Sequence, residues 1–183
     1  SFMKLEILGG FEAGNYVPKD KTYVSRIFTP FPSQLKGSSL EEFSLKISPN
    51  YIHIAEYVFS DTWPEMFKIM NNSHDILFNK KIKKNMLSDF LNFKSSCETF
   101  LVHCSQGKNR SPAVGIGFND IFGFGYDFDE LKDKFPSFNR YVYKVLKETA
   151  KNMNLESLNI LNSFTKYPNL LLFLFETLFQ FLS

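Results

Sequence analysis

Polar and apolar residues alternate from Lys4 to Leu8 and again across the nine residues from Tyr51 to Phe59. That two-residue period predicts strands with one covered face, the first of them turning at Gly9 and Gly10. The stretch 22–28 carries Tyr23, Val24, Ile27 and Phe28 and stops at Thr29 and Pro30, which predicts another strand. A short β-type run over 99–103 gives a fourth. Between 80 and 94 the period lengthens, with Ile82, Met86, Leu87, Phe90, Leu91 and Phe93 at near-helical spacing on one apolar face. Segment 111–122 reads as a helix whose Ala113, Gly115 and Gly117 allow close packing, ended by Gly123 and Gly125. A short helix over 129–134 follows, and Pro136 to Asn139 restart a longer one through Lys151 with Tyr141, Val142, Val145 and Leu146 inward. Pro30, Pro32 and Gly37 make a loop, and 40–45 suits one or two helical turns. Strands alternating with helices predict an α/β fold: a central mixed, largely parallel sheet of four to five strands flanked by helices, with an extra C-terminal helical segment.

Composition sharpens this only a little. A chain of 183 residues suits one domain, taken as 1–153, with 154–183 as a helical extension packed on it. The net charge of +2 offers no specific evidence for nucleic-acid binding. Two cysteines give no disulfide framework and point to a reducing compartment; no basic-then-apolar secretory segment opens the chain, so the cytoplasm is expected. Neither His53 nor His74 has a metal-ligand spacing with Cys or carboxylates, and no metal or other cofactor is expected.

The chemistry concentrates after the fourth strand. That strand ends at His103 and Cys104, a compact loop of Ser105, Gln106, Gly107, Lys108 and Asn109 closes on Arg110, and Ser111 with Pro112 opens a helix. Backbone N–H groups curling between Ser105 and Arg110 would make a nest for an oxyanion, with a helix N-terminus aimed at the same point. The Arg110 fork suits two oxygens of a phosphate. Electropositive surroundings favour the thiolate of Cys104, its nucleophilic form. Strand, cradle and thiol together read as phosphoryl transfer through a phosphocysteine.

His103, Cys104, Gly107, Arg110 and Ser111 in this spacing resemble the signature of the cysteine-dependent protein tyrosine phosphatases, nearer the dual-specificity branch and of the small bacterial or viral type. The stretch from Pro136 to Tyr143 is similar to a Pro-Asn helix start in small bacterial members. The resemblance covers roughly residues 3–153. It implies a dual-specificity-like sheet and hydrolysis of phosphotyrosine, and of phosphoserine and phosphothreonine as well. It implies that Ser111 stabilises the leaving thiolate and that His103 organises the loop. A carboxylic acid on a nearby loop should protonate the leaving oxygen. Asp61, just past the third strand, resembles the dual-specificity position and is favoured; Glu65, after Trp63 and Pro64, resembles the acid of the larger tyrosine phosphatases and is the alternative. Asp61 also suits a plain turn or N-cap role.

Two loop positions widen the choice of substrate. Lys108 resembles lipid and inositol phosphate phosphatases, and Asn109 resembles RNA 5′-triphosphatases and some viral dual-specificity enzymes. The partner is therefore a phosphoprotein or another phosphomonoester, with a non-catalytic phosphate-binding module as the rival from a different class. Cys97 reads as a small buried hydrophobe. In 167–183, the run from Leu170 to Leu182 is only 13 residues, broken by Glu176, Thr177 and Gln180. It falls short of the roughly 20 needed for a span. An amphipathic segment there would pack on the domain, pair two copies as a homodimer or make peripheral membrane contact, Lys166 being its one nearby cation.

Overall fold

In a computed structural model of the chain, residues 2–30 and 44–155 are described. Strands β1 (Lys4–Gly9), β2 (Thr22–Phe28), β3 (Tyr51–Val58) and β4 (Thr99–Cys104) form one sheet in the order β1-β4-β2-β3. The α/β fold stands, with four strands. All three pairings are parallel, so the antiparallel member that a mixed sheet would need is absent among the described residues. Parallel neighbours require crossovers, and helices lie between β1 and β2 and between β3 and β4. Every residue of β2 and β4 is buried, as central strands of a parallel sheet must be, whereas edge strand β3 alternates along its second half.

The helices are α1 (Gly10–Asn15), α2 (Pro64–Met70), α3 (Lys80–Phe93), α4 (Arg110–Phe122), α5 (Phe128–Lys134) and α6 (Arg140–Asn152). The first two were not expected. At Gly9 and Gly10 the chain does not simply turn: the Glu12 carboxylate accepts the Gly9 N–H at 2.9 Å and closes a short helix. In α2 no residue is buried, so it has no apolar stripe for a periodicity argument to find; Pro64 starts it and Asn71, at φ 42°, ends it. Lysines at 80, 81, 83 and 84 crowd the start of α3, where Asn79 Oδ1 accepts the Ile82 N–H at 3.0 Å and caps it.

Helix α4 packs on β1 and β4, α3 on β2 and β3, and α6 against both helices. Phenylalanines fill the space between them: Phe90, Phe100 and Phe118 are fully buried, with ring centroids 4.6–5.3 Å apart. Such aromatic pairs add about 0.5–1.5 kcal/mol each beyond the area they bury. Gly115 lets α4 approach β1, since a Cβ there would lie 2.6 Å from the Ile7 side chain. Of α4, only Asp120 is not buried. The turn expected over 40–45 lies, up to residue 43, outside the described residues. So does the apolar extension beyond Leu155, including Lys166, Glu176 and Gln180. Among the described residues no helix is long and apolar enough to cross a membrane.

Candidate active site

Because the sheet is parallel, Gly9, Phe28, Val58 and Cys104 all end at one edge, and the segments that follow them meet there. Gly9 pairs with Cys104 in register, and beyond that pair Gly10 N–H donates to Ser105 O at 2.9 Å. Gly107 sits at φ 70°, and a Cβ on it would fall 2.5 Å from Gly9 N. Only glycine allows both that backbone and that approach, so the end of β1 braces the loop.

The Cys104 thiol is buried, and two groups face it. Gly107 N–H donates to Sγ across 3.3 Å, and Ser111 Oγ lies 3.2 Å away. Ser111 Oγ is also 3.1 Å from Leu8 O, which it can donate to while the thiol donates to it. Once sulfur is anionic the hydroxyl proton can turn to it instead. Arg110 is the first residue of α4 and only 5% exposed. Its guanidinium donates to Phe59 O at 2.8 Å, Thr29 Oγ1 at 2.8 Å and Ser105 Oγ at 3.2 Å. Three contacts fix the plane of the fork and, among the described residues, leave two N–H groups for an oxyanion.

Beneath the loop, His103 is 1% exposed. Its Nε2 accepts from Arg26 Nε at 3.0 Å, which leaves the proton on Nδ1. Burial, with the Arg26 charge adding to it, pushes the imidazole down from 6.5 to about 4. A neutral ring with its acceptor already engaged has no means to take a proton from substrate. Arg26 itself lies 4.8 Å over the Phe28 ring and donates to Glu56 at 3.3 Å.

On the other side of the loop, Ser60 and Thr62 are buried and Asp61 between them is exposed. Ser60 fixes this turn: its N–H donates to Ile76 O at 2.7 Å, and its Oγ donates to Asp75 Oδ1 at 2.9 Å while accepting the Ile76 N–H at 3.0 Å. The Asp61 carboxylate then accepts from Asn109 Nδ2 at 2.5 Å and from Asn139 Nδ2 at 2.9 Å. A cleft of about 680 Å³ opens beside it, lined by Asp61, Trp63, Glu65, Asn109, Asn139 and Tyr141 among others.

The arrangement can hold a tetrahedral oxyanion against a nucleophilic sulfur with a carboxyl group at one side. No family model and no curated protein matches the chain. One solved structure, of a protein designated Tk-PTP in its active form, is 16% identical over 86% of this chain and 92% of that one, with a TM-score of 0.40.

Of the residues singled out in the sequence, Cys104, Gly107, Arg110 and Ser111 converge within one loop. Asp61 reaches that loop through Asn109. Glu65 lines the same cleft from the first turn of α2, with no hydrogen bond to the loop among the described residues. Ser105 touches Arg110, while Gln106 and Lys108 are exposed. The side chain of Asn109 points to Asp61, so only its backbone remains with the cradle. Cys97 is buried, its thiol pushed up to about 11 by that burial. Among the described residues no three His, Cys, Asp or Glu side chains converge as a metal site would need. Four contributors escaped the sequence reading: Arg26, Thr29, the Phe59 carbonyl and Asn139. Thr29 and Phe59 figured there only as strand ends, and Asn139 only within the helix restart from Pro136 to Asn139.

Proposed function

We propose that the protein is a phosphatase that hydrolyses phosphotyrosine, and phosphoserine and phosphothreonine as well, through a phosphocysteine on Cys104. The observation that carries this reading is the Cys104 sulfur held between the Gly107 N–H and the Ser111 hydroxyl, at a strand end that faces the first turn of α4. In the first step the Cys104 thiolate, its proton already released to solvent, forms an S–P bond as the ester P–O bond breaks. Arg110 and the loop N–H groups hold the equatorial oxygens where charge gathers. Asp61 gives the departing oxygen its proton. In the second step a water oxygen attacks phosphorus, its proton goes to the Asp61 carboxylate, and the S–P bond breaks. Ser111 turns its proton to the released thiolate.

The exposed Lys108 favours a second reading of the substrate, in which the same mechanism serves inositol, lipid or RNA 5′-phosphates with further negative charge. Rates on phosphopeptides, inositol phosphates and 5′-triphosphorylated RNA separate the two readings. Cys104→Ser should abolish turnover in every case while leaving ester binding intact. A variant that keeps most of its turnover overturns the mechanism; a wild-type protein that binds phosphopeptides without turnover makes the cradle a phosphate-reading module.

A further inference from the structure

Asn139 is the N-cap of α6 and 9% exposed, yet its contacts exceed what a cap requires. Its Oδ1 accepts the Val142 N–H at 3.0 Å. That bond fixes which way the amide faces, since the N–H of Val142 needs an oxygen, and so turns Nδ2 to the opposite side. There the amide donates to Asp61 Oδ1 at 2.9 Å and to Thr62 O at 3.2 Å. The backbone N–H of Asn139 donates to Asn109 O at 3.0 Å. One residue thus joins α6, the Asp61 turn and the last residue of the phosphate loop.

Asn109 completes the junction from the other side. It stands at the N-cap of α4 but makes no side-chain cap bond; its amide goes to Asp61 instead, and its carbonyl accepts from both Ala113 and Asn139. Both oxygens of Asp61 are therefore gripped by amides that belong to other elements. Ser, Thr or Asp at position 139 would cap α6 as well as Asn does. None of these has two N–H donors on the side away from the cap, and Asp would set a carboxylate against Asp61.

We infer that Asn139 is a positioning residue: it latches the Asp61 turn onto the Asn109 end of the loop, which holds the Asp61 carboxyl over the oxygen leaving Cys104-bound phosphorus. This rests on the phosphatase reading above. Losing the latch would let Asp61 wander while the nucleophile and cradle stay intact. A proton donor matters most when the leaving group is a poor one, so the defect should depend on the leaving group.

The test compares kcat/KM for 4-nitrophenyl phosphate, phenyl phosphate and an alkyl phosphate. Asn139→Ser keeps an oxygen for Val142 and should fold with a near-native unfolding midpoint. It should lose on the order of 10-fold to 10²-fold on the alkyl ester and much less on the nitrophenyl ester. Asn139→Asp, which also keeps the cap, should show the same slope or a steeper one. Asp61→Asn should share the pattern, and the double variant with Asn139→Ser should lose no more than Asp61→Asn alone. Equal slowing on all three esters, or no slowing at all, overturns the latch. Turnover by Cys104→Ser overturns the phosphatase reading and the latch with it, whereas an inert Cys104→Ser beside a uniformly slowed Asn139→Ser removes the latch only.

Discussion

Two carboxyl groups line one cleft, and their hydrogen bonds tell them apart. Asp61 is fixed at both oxygens to residues of the loop and of α6, while Glu65 stands in the exposed first turn of α2, close enough to Tyr141 to help push that phenol up after burial has done so. A proton donor must be held in place before its acidity matters, and of the two only Asp61 is hydrogen-bonded to the loop among the described residues. Asp61→Asn should therefore lower kcat/KM on a phosphotyrosine peptide by on the order of 10²-fold. Glu65→Gln should stay within a few-fold of the parent. Steady-state rates on that peptide check both, and a loss confined to Glu65→Gln moves the acid. At this scale the sequence was informative where partners are neighbours: Cys104, Gly107, Arg110 and Ser111 lie within eight residues. It was silent where they are not. The Arg110 fork is held by Thr29 and Phe59, 81 and 51 residues away, and neither position has a local signal.

Among the elements, strong periodicity carried the reading and its absence limited it. β2 was legible to its ends because apolar and β-branched residues run between Lys21 and Pro30, and α3 because its apolar face recurs at helical spacing. α2 buries nothing, so no pattern marks it, and α1 is six residues holding two glycines. The element most sensitive to a single atom is the loop between β4 and α4. An alanine at Gly107 must adopt a positive φ and meet the backbone of Leu8 and Gly9, a wall that does not yield as a flexible side chain would. The loop would move by about an ångström, which is enough to cost about 10²-fold in rate. Gly107→Ala should thus lose nearly all phosphatase activity. Its unfolding midpoint should fall far less than that of a core truncation such as Phe100→Ala, which would cost about 3–5 kcal/mol. Activity and thermal unfolding measured on the same preparation check the split.

Across the whole molecule, strand order sets what lies beside the strand end that carries Cys104. Placing β4 between β1 and β2 brings Arg26 into register with His103, so a buried guanidinium and a buried imidazole share one hydrogen bond at the residue before Cys104. The sequence shows both residues, but not that their strands are neighbours: 77 residues separate them, and the order β1-β4-β2-β3 is a property of the closed sheet. Burial of the His103 ring, with the Arg26 charge adding to it, gives the fold a pH dependence. In the folded chain His103 takes up a proton only near pH 4, whereas unfolded it does so near 6.5. Between those values the unfolded state binds the extra proton, so stability is fully present above pH 6.5 and is lost as pH falls towards 4. A displacement of that size corresponds to about 3 kcal/mol. Urea unfolding should show most of that loss between pH 7 and pH 4.5, and the part of it above about pH 5.5 falls where ordinary carboxylates are still almost fully ionised. His103→Gln, with no proton to gain, should give a nearly flat line across the same interval, at lower absolute stability. A parent protein equally stable at pH 7 and pH 4.5 would mean that His103 takes up its proton without unfolding, and that neither its burial nor the Arg26 charge holds the ring neutral.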